Sequence, residues 1–232
     1  MGTKERRERE KDQVRTAILD AARELFVAVG YEGVSMRAIA EKIEYSATVI
    51  YNYFRDKDAL ILELCESDFG KLAEYMQEAV RISDPVQRLR ECGREYVRFA
   101  LSHPNHYRLM FMTPYPLRAD DPDHEQHKAE VKGNPDTDAY AFVTALIQQV
   151  AAAGRLRDPN PNIELIAQTL WAGLHGVISL EIAMGCDGWT DWQPIESRTE
   201  AMLDTFTSGL FIETTPEPPT PAANPKNPQE AR

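Results

Sequence analysis

The chain has five histidines in 232 residues, and four of them form two short pairs, His103-x-x-His106 and His124-x-x-His127. The second pair lies beside Asp120, Asp121, Asp123 and Glu125, so both pairs offer ligand types at a spacing a divalent metal can use. Pro104 splits the first pair, and the second sits in an acidic, proline-bearing stretch with nothing to hold it rigid. Solvated side chains are the expectation for both. Cys65, Cys92 and Cys186 are odd in number, widely spaced and outside any Cys-x-x-Cys or Cys/His zinc pattern, which argues against a disulfide framework and a structural zinc. The sequence has no glycine-rich phosphate loop, nucleophile elbow or His-Glu-x-x-His motif. The expectation is a protein that is not an enzyme and needs no cofactor or metal.

Groups suited to non-covalent recognition are better arranged. Ser35 is a good N-cap for a short helix holding Met36, Ile39, Ala40 and Ile43, and Ser46 for a second holding Ile50, with Phe54 one turn on. Ile39, Ala40, Ile43, Ile50 and Phe54 fall inward, and Ala40 is small enough to let the two helices cross closely. Ala47, Thr48, Tyr51 and Asn52 fall on the opposite face at steps i, i+1, i+4 and i+5. Two short helices joined by a tight turn hold the second firmly enough to enter a major groove, where such a strip reaches base edges and sugar-phosphate.

The elements that must position this strip read as helix throughout, so the fold class is all-α. A first helix is expected from about Asp12 to Val29, with Val14, Ile18, Ala21, Ala22, Leu25, Phe26 and Val29 on its apolar stripe, Arg15, Arg23 and Glu24 on its polar face, and Gly30 as the stop. Asp56 starts a long fourth helix toward Val80, and Asp84-Pro85 opens another to about His103. A short helix through Tyr107, Met110 and Phe111 precedes a proline- and acid-rich loop over 113–135. Helices resume over 136–153, 162–184 and 192–212. The proline-rich 214–232 cannot offset its ordering entropy and is expected to be disordered. The domains are therefore 1–57, 58–213 and a tail over 214–232.

The net charge of −11 looks hostile to nucleic acid, but its distribution matters more. Residues 1–57 hold 11 Lys and Arg against 10 Asp and Glu, and the remainder 15 against 27, so the acidity is almost entirely C-terminal. A near-neutral module with its cations on one face can still grip a duplex. The charged N-terminus is followed by no apolar core, and no apolar stretch approaches the 18 residues of a membrane span, so a soluble cytoplasmic protein is expected.

Gly30-Tyr31-Glu32-Gly33 and Tyr51-Asn52-Tyr53-Phe54-Arg55-Asp56-Lys57 are similar to the glycine turn and recognition-helix end of the tetracycline-repressor-like (TetR) family, over about 45 residues. Thr48 departs from the pattern, since many members carry Gly there. The resemblance implies a dimer that binds a palindromic operator and is released by a small effector. It implies a DNA-contacting set of Ser35, Arg37, Ser46, Ala47, Thr48, Val49, Tyr51, Asn52, Tyr53 and Lys57. Within that set, Arg37, Ala47, Thr48, Val49 and Asn52 lie nearest the bases, and Tyr51, Tyr53 and Lys57 on phosphates. Lys57, in the first turn of the fourth helix, can converge with that helix end on one phosphate. Residues 1–11 are either an arm on the minor groove or an extension of the first helix in solvent, because their glutamates nearly cancel their cations.

The C-terminal half resembles the same family more loosely, with Trp171-Ala172-Gly173-Leu174-His175-Gly176 similar to a Trp-His-Gly-bearing subgroup. Ile163, Ile166, Leu170, Leu174, Val177 and Ile178 form one apolar face, and Ile195, Met202, Phe206 and Leu210 another. Two such helices per chain make the four-helix dimer usual in the family, with Gly173 and Gly176 allowing close packing. Candidate effector contacts are Tyr96, Phe99, His103, Tyr107, Met110, Phe111, Phe142, Leu146, Trp171 and His175; an aromatic stripe at this spacing also suits plain core. Met110, Phe111 and Met112 favour an adaptable pocket for an apolar or aromatic effector. Two other functions fit the sequence less well: a sensor or carrier without specific DNA binding, and a histidine-based enzyme or metal protein.

Overall fold

The computed structural model describes residues 3–114, 128–185 and 188–212, and nine α-helices described from end to end build the fold, beside a helical turn over 128–131. Their order is α1 (Thr3–Gly33), α2 (Met36–Lys42), α3 (Ala47–Tyr51), α4 (Lys57–Gln77), α5 (Pro85–Ser102), α6 (Pro104–Met112), α7 (Ala139–Ala152), α8 (Ile163–Met184) and α9 (Ile195–Leu210). The 3-10 turn Glu78–Arg81 ends α4, and an isolated bridge joins Leu156 to Phe211. His124, His127, Cys186 and the tail over 214–232 lie outside the described residues.

Capping accounts for most boundaries. Side-chain oxygens of Ser35, Asp56, Asp84, Asp138 and Asn162 accept backbone N–H bonds from the first turns of α2, α4, α5, α7 and α8. Gly30 interrupts α1 at φ 70°, a conformation that glycine adopts without penalty. Three expectations change. Thr3 to Lys11 form the first turns of α1, the solvent-exposed extension and not the arm of the two alternatives, so the helix starts well before Asp12; their interleaved charges pair along it, as Arg6 does with Glu10 at 2.7 Å. The last helix begins at Ile195 and not at Trp192, because Pro194 disfavours helical geometry in the residue before it and serves as the N-cap. One helix, α8, is long and apolar enough by composition to cross a membrane, contrary to the sequence expectation. Ile166, Ala167, Leu170, Leu174 and Ile178 give it a buried face in the body core.

Two hydrophobic cores divide the chain. The head core joins Ile18, Ala22 and Phe26 of α1, Ile39 and Ala40 of α2, Ile50 of α3 and Phe54 to Leu60, Ile61, Leu64 and Cys65 of α4. It therefore extends past Lys57 into the first half of α4. The body core begins at Leu72 on α4 and continues through α5 to α9. Val29, placed on the apolar stripe by its spacing, is exposed next to the Gly30 kink.

The short helix α6 belongs to both cores. Leu109, fully buried, packs in the head, while Tyr107 and Met110 pack in the body. Beside Leu109 lies a buried polar cluster. Arg23, expected on a solvent face, is 7 % exposed and makes a two-pronged contact with Asp68 of α4, Nη2 to Oδ1 at 2.8 Å and Nε to Oδ2 at 3.1 Å. Asp68 also accepts a bond from His106 Nδ1 of α6 at 2.8 Å. The carboxylate thus ties α1, α4 and α6 together with both oxygens satisfied, the condition under which a buried ion pair is tolerated.

Candidate nucleic-acid interface and effector site

The recognition strip lies on α3, five residues held by its neighbours. Ile50 is completely buried, while Thr48, Tyr51 and Asn52 are exposed and Ala47 and Val49 half-buried. Ser46 has the extended backbone of an N-cap, but its hydroxyl makes no cap bond, unlike that of Ser35, which accepts from Ala38 N at 3.1 Å. An exposed, uncommitted hydroxyl at the start of α3 is therefore available to an outside acceptor. Tyr53 is half-buried against the head core, and Arg37 is exposed with its guanidinium on Glu41 at 2.9 Å. The turn into α3 is fixed by Tyr45 N donating to Ala40 O at 2.9 Å and by Glu44 at φ 61°, in the left-handed region. Tyr45, not among the sequence candidates, is exposed directly before Ser46. Its position in a turn and not on a helix face hid it from helical spacing.

Lys57 stands in the first turn of α4 as expected, and its ammonium has structural partners. Nζ donates to Tyr31 O at 2.7 Å and to Val34 O at 3.1 Å and lies 4.0 Å from the Tyr31 ring centroid. Two of its three N–H bonds thus close the turn between α1 and α2. The Tyr31 hydroxyl donates to Asp58, so the glycine turn and the start of α4 form one braced unit. Arg15 adds a second brace, pairing with Glu63 and lying over Phe54 at 5.2 Å.

In the body, five of the ten candidate effector contacts meet in one aromatic cluster: Tyr96, Tyr107, Phe111, Trp171 and His175. The ring centroids of Tyr107 and Phe111 are 4.8 Å apart, those of Tyr107 and His175 5.6 Å, and those of Phe111 and Trp171 5.8 Å. Polar tips link in series: Trp171 Nε1 donates to Tyr96 Oη at 2.9 Å, Tyr96 and Tyr107 share a bond at 2.8 Å, and Tyr107 Oη lies 2.5 Å from His175 Nδ1. Burial pushes the Tyr96 phenol up to about 12 and the Tyr107 phenol further, and holds His175 below the usual histidine range.

Phe99 and His103 belong to a second group with Tyr75, whose hydroxyl lies 3.1 Å from His103 Nε2. Burial also lowers the His103 pKa, with Lys71 adding to it. Phe142, Leu146 and Met110 are plain buried core. Tyr140, not foreseen, faces Trp171 at 6.4 Å and donates to Glu164 at 2.5 Å. His103 and His106, read from sequence as a potential ligand pair, point to Tyr75 and Asp68 respectively. No group of three metal-ligating side chains occurs among the described residues.

Comparison with known proteins agrees with this division. Residues 18–64 match the family model described as bacterial regulatory proteins, tetR family, and residues 89–206 the model for the tetracyclin repressor-like C-terminal domain. The chain is 30% identical over 175 residues to the HTH-type transcriptional repressor AcnR of Corynebacterium diphtheriae, covering 75% of this chain and 83% of that one. It is 32% identical over 106 residues to the HTH-type transcriptional activator FasR of Mycolicibacterium smegmatis, covering 45% of this chain and 48% of that one. The crystal structure of a TetR family transcription regulator from Marinobacter aquaeolei VT8 superposes with a TM-score of 0.68 at 17% identity, over 89% of this chain and all of the other. With a braced helix-turn-helix head, a helical body and both family models matched, the chain belongs to the TetR family of DNA-binding transcriptional regulators.

Proposed function

We propose that this regulator is a repressor that binds a palindromic operator as a homodimer and releases it when a small apolar or aromatic effector enters the body. The observation that carries the effector response is the double membership of α6: Tyr107 lies in the aromatic cluster and Leu109, two residues on, in the head core. A ligand that displaces Tyr107 or Phe111 moves a helix already locked to α1 and α4 through Leu109 and the Arg23–Asp68–His106 cluster. Interiors are too densely packed to absorb such a shift locally, so it reaches the separation of the two recognition helices.

Ser35, Arg37, Ser46, Ala47, Thr48, Val49, Tyr51, Asn52 and Tyr53 are proposed as the DNA-facing set, with Thr48 and Asn52 at bases. Lys57 adds its charge and remaining N–H to a phosphate while it braces the turn. Dimerisation through α8 and α9 is supported by Leu165, Leu180 and Met184, large apolar residues exposed on α8, and by Gly176, which has no atom within 4 Å of where a Cβ would stand. Gly173 packs within the chain instead, against Met202. The likeness of 171–176 to a Trp-His-Gly-bearing subgroup fits this arrangement. The likeness to the repressor AcnR of Corynebacterium diphtheriae, which spans most of both chains, favours repression over activation.

The test is operator affinity of the purified dimer before and after small molecules extracted from denatured protein are added back. Weakened binding is expected. Equal affinity in both states counts against effector release.

A further inference from the structure

The inner stripe of α1 changes from apolar to cationic where the helix runs past the rest of the head. Ile18, Ala22 and Phe26 follow one another at four-residue steps into the head core, while Glu5 to Gln13 are all exposed. Arg7 and Lys11 precede Ile18 by eleven and seven residues, so both stand within about 20° of the line of the buried stripe. Neither side chain has an ion-pair or hydrogen-bond partner among the described residues. Arg6, on another side of the helix, pairs with Glu10. Arg15 carries the row into the head, where it pairs with Glu63 and lies over the Phe54 ring at 5.2 Å. Phe54 N donates to Ile50 O, so this residue sits at the C-terminal end of α3. The overhang therefore leaves the head beside the recognition strip and turns two unpaired cations to the side on which the head lies.

Arg7, Lys11 and Arg15 stand four residues apart, a spacing at which like charges destabilise a helix. With no carboxylate paired to its two outer members, the row suits an anion from outside, and the anion that α3 faces in the operator-binding reading is a duplex. We infer that Arg7 and Lys11 of each copy rest on the sugar-phosphate backbone of the operator, beside the half-site that α3 reads. A helix is about 10 Å across and the minor groove about 6 Å wide, so the overhang lies along the backbone and does not enter that groove. Its contacts add affinity and position the head without reading sequence. The inference rests on the operator-binding reading above and adds a second contact element to it.

The probe is the palindromic duplex that the full-length protein selects from a random pool, and the readout is the slope of log affinity against log salt. Arg7→Gln with Lys11→Gln keeps good helix formers on an exposed face and removes two cations per copy. The slope is expected to become shallower by about 3.6, since each phosphate contact contributes about 0.9 and the dimer makes four. Arg6→Gln with Arg9→Gln, the same change of charge away from the row, should shift it by less than about 1. Selection repeated with the Arg7/Lys11 variant should return the same palindrome.

An unchanged slope in the Arg7/Lys11 variant, an equal shift in both variants, or a different palindrome overturns the inference and leaves operator binding standing. If the parent retains no duplex even at low ionic strength, the inference and the operator-binding reading fail together.

Discussion

Glu44 holds a backbone conformation that suits glycine, φ 61°, in the turn that aims α3. The left-handed region costs a residue with a Cβ roughly 1 kcal/mol, part of which glycine returns through its unfolded-state freedom. Glu44→Gly should therefore raise stability by about 0.5 kcal/mol, read as a higher urea midpoint at unchanged slope. It should also tighten DNA binding by removing an exposed carboxylate beside the recognition strip. A lower midpoint would mean that Glu44 makes contacts worth more than its strain. At the same scale, Asn52→Ala should alter which sequences are preferred, while Tyr53→Ala should weaken binding to all sequences alike, as selection on mixed duplexes would show.

The strip was legible in the sequence because helical spacing alone places Thr48, Tyr51 and Asn52 opposite Ile50. The role of Lys57 as a brace was not, since its carbonyl partners Tyr31 and Val34 lie over 20 residues away in sequence. The linking of Trp171, Tyr96, Tyr107 and His175 through their polar tips was equally hidden, because spacing assigns residues to a face and says nothing of which tips meet.

At the scale of elements, α6 is the joint between head and body. Leu109→Ala removes a fully buried side chain from the head core and should cost about 3 kcal/mol. Effector release should weaken with it, so that binding of a ligand no longer lowers operator affinity. If release persisted undiminished in a folded variant, the coupling would have to run through α4 alone. The Arg23–Asp68 pair makes a sharper case. Arg23→Met alone leaves a buried carboxylate without its two-pronged partner and should destabilise by about 3 kcal/mol, whereas Arg23→Met with Asp68→Leu should recover most of the loss. Thermal unfolding of the two singles and the double measures this directly.

The sequence carried a sign of this cluster. Asp68 stands four residues from both Leu64 and Leu72, interrupting the apolar stripe of α4 with a charge that needs a buried partner. Identifying Arg23 as that partner required knowing that α1 crosses α4 at that level. Helix limits set by side-chain caps, Ser35, Asp56, Asp84 and Asn162, were readable within a residue or so, since the cap is a local interaction. Apolar spacing alone starts α9 too early, because Pro194 holds its predecessor out of helical geometry.

At the scale of the whole molecule, burial lowers the pKa of both His103 and His175. The unfolded chain takes up protons as pH falls through about 6.5 while the folded chain resists, so stability should drop between about pH 7 and 5. The lowered carboxylates of Asp84 and Glu200 act only at more acidic pH, and the raised Glu95 acts with the opposite sign. Comparison of urea midpoints at pH 7.5 and 5.5 isolates the histidine part: the drop should be smaller in His175→Gln than in the parent. An equal drop would remove His175 from the account.

The division of charge also belongs to this scale. An acidic body behind a near-neutral head opposes non-specific adsorption to DNA and, in the proposed dimer, leaves recognition to the strip proposed on α3 of each copy. All-α composition was legible from periodicity, but the sharing of α6 between the cores was not, because it depends on the packing of helices distant in sequence.

Selection of bound duplexes from a random pool by the purified dimer, at low ionic strength, tests the central claim most directly. Enrichment of a palindrome with half-sites about one helical turn apart is the predicted result. Recovery of unenriched sequence, or of no duplex at all, would contradict it.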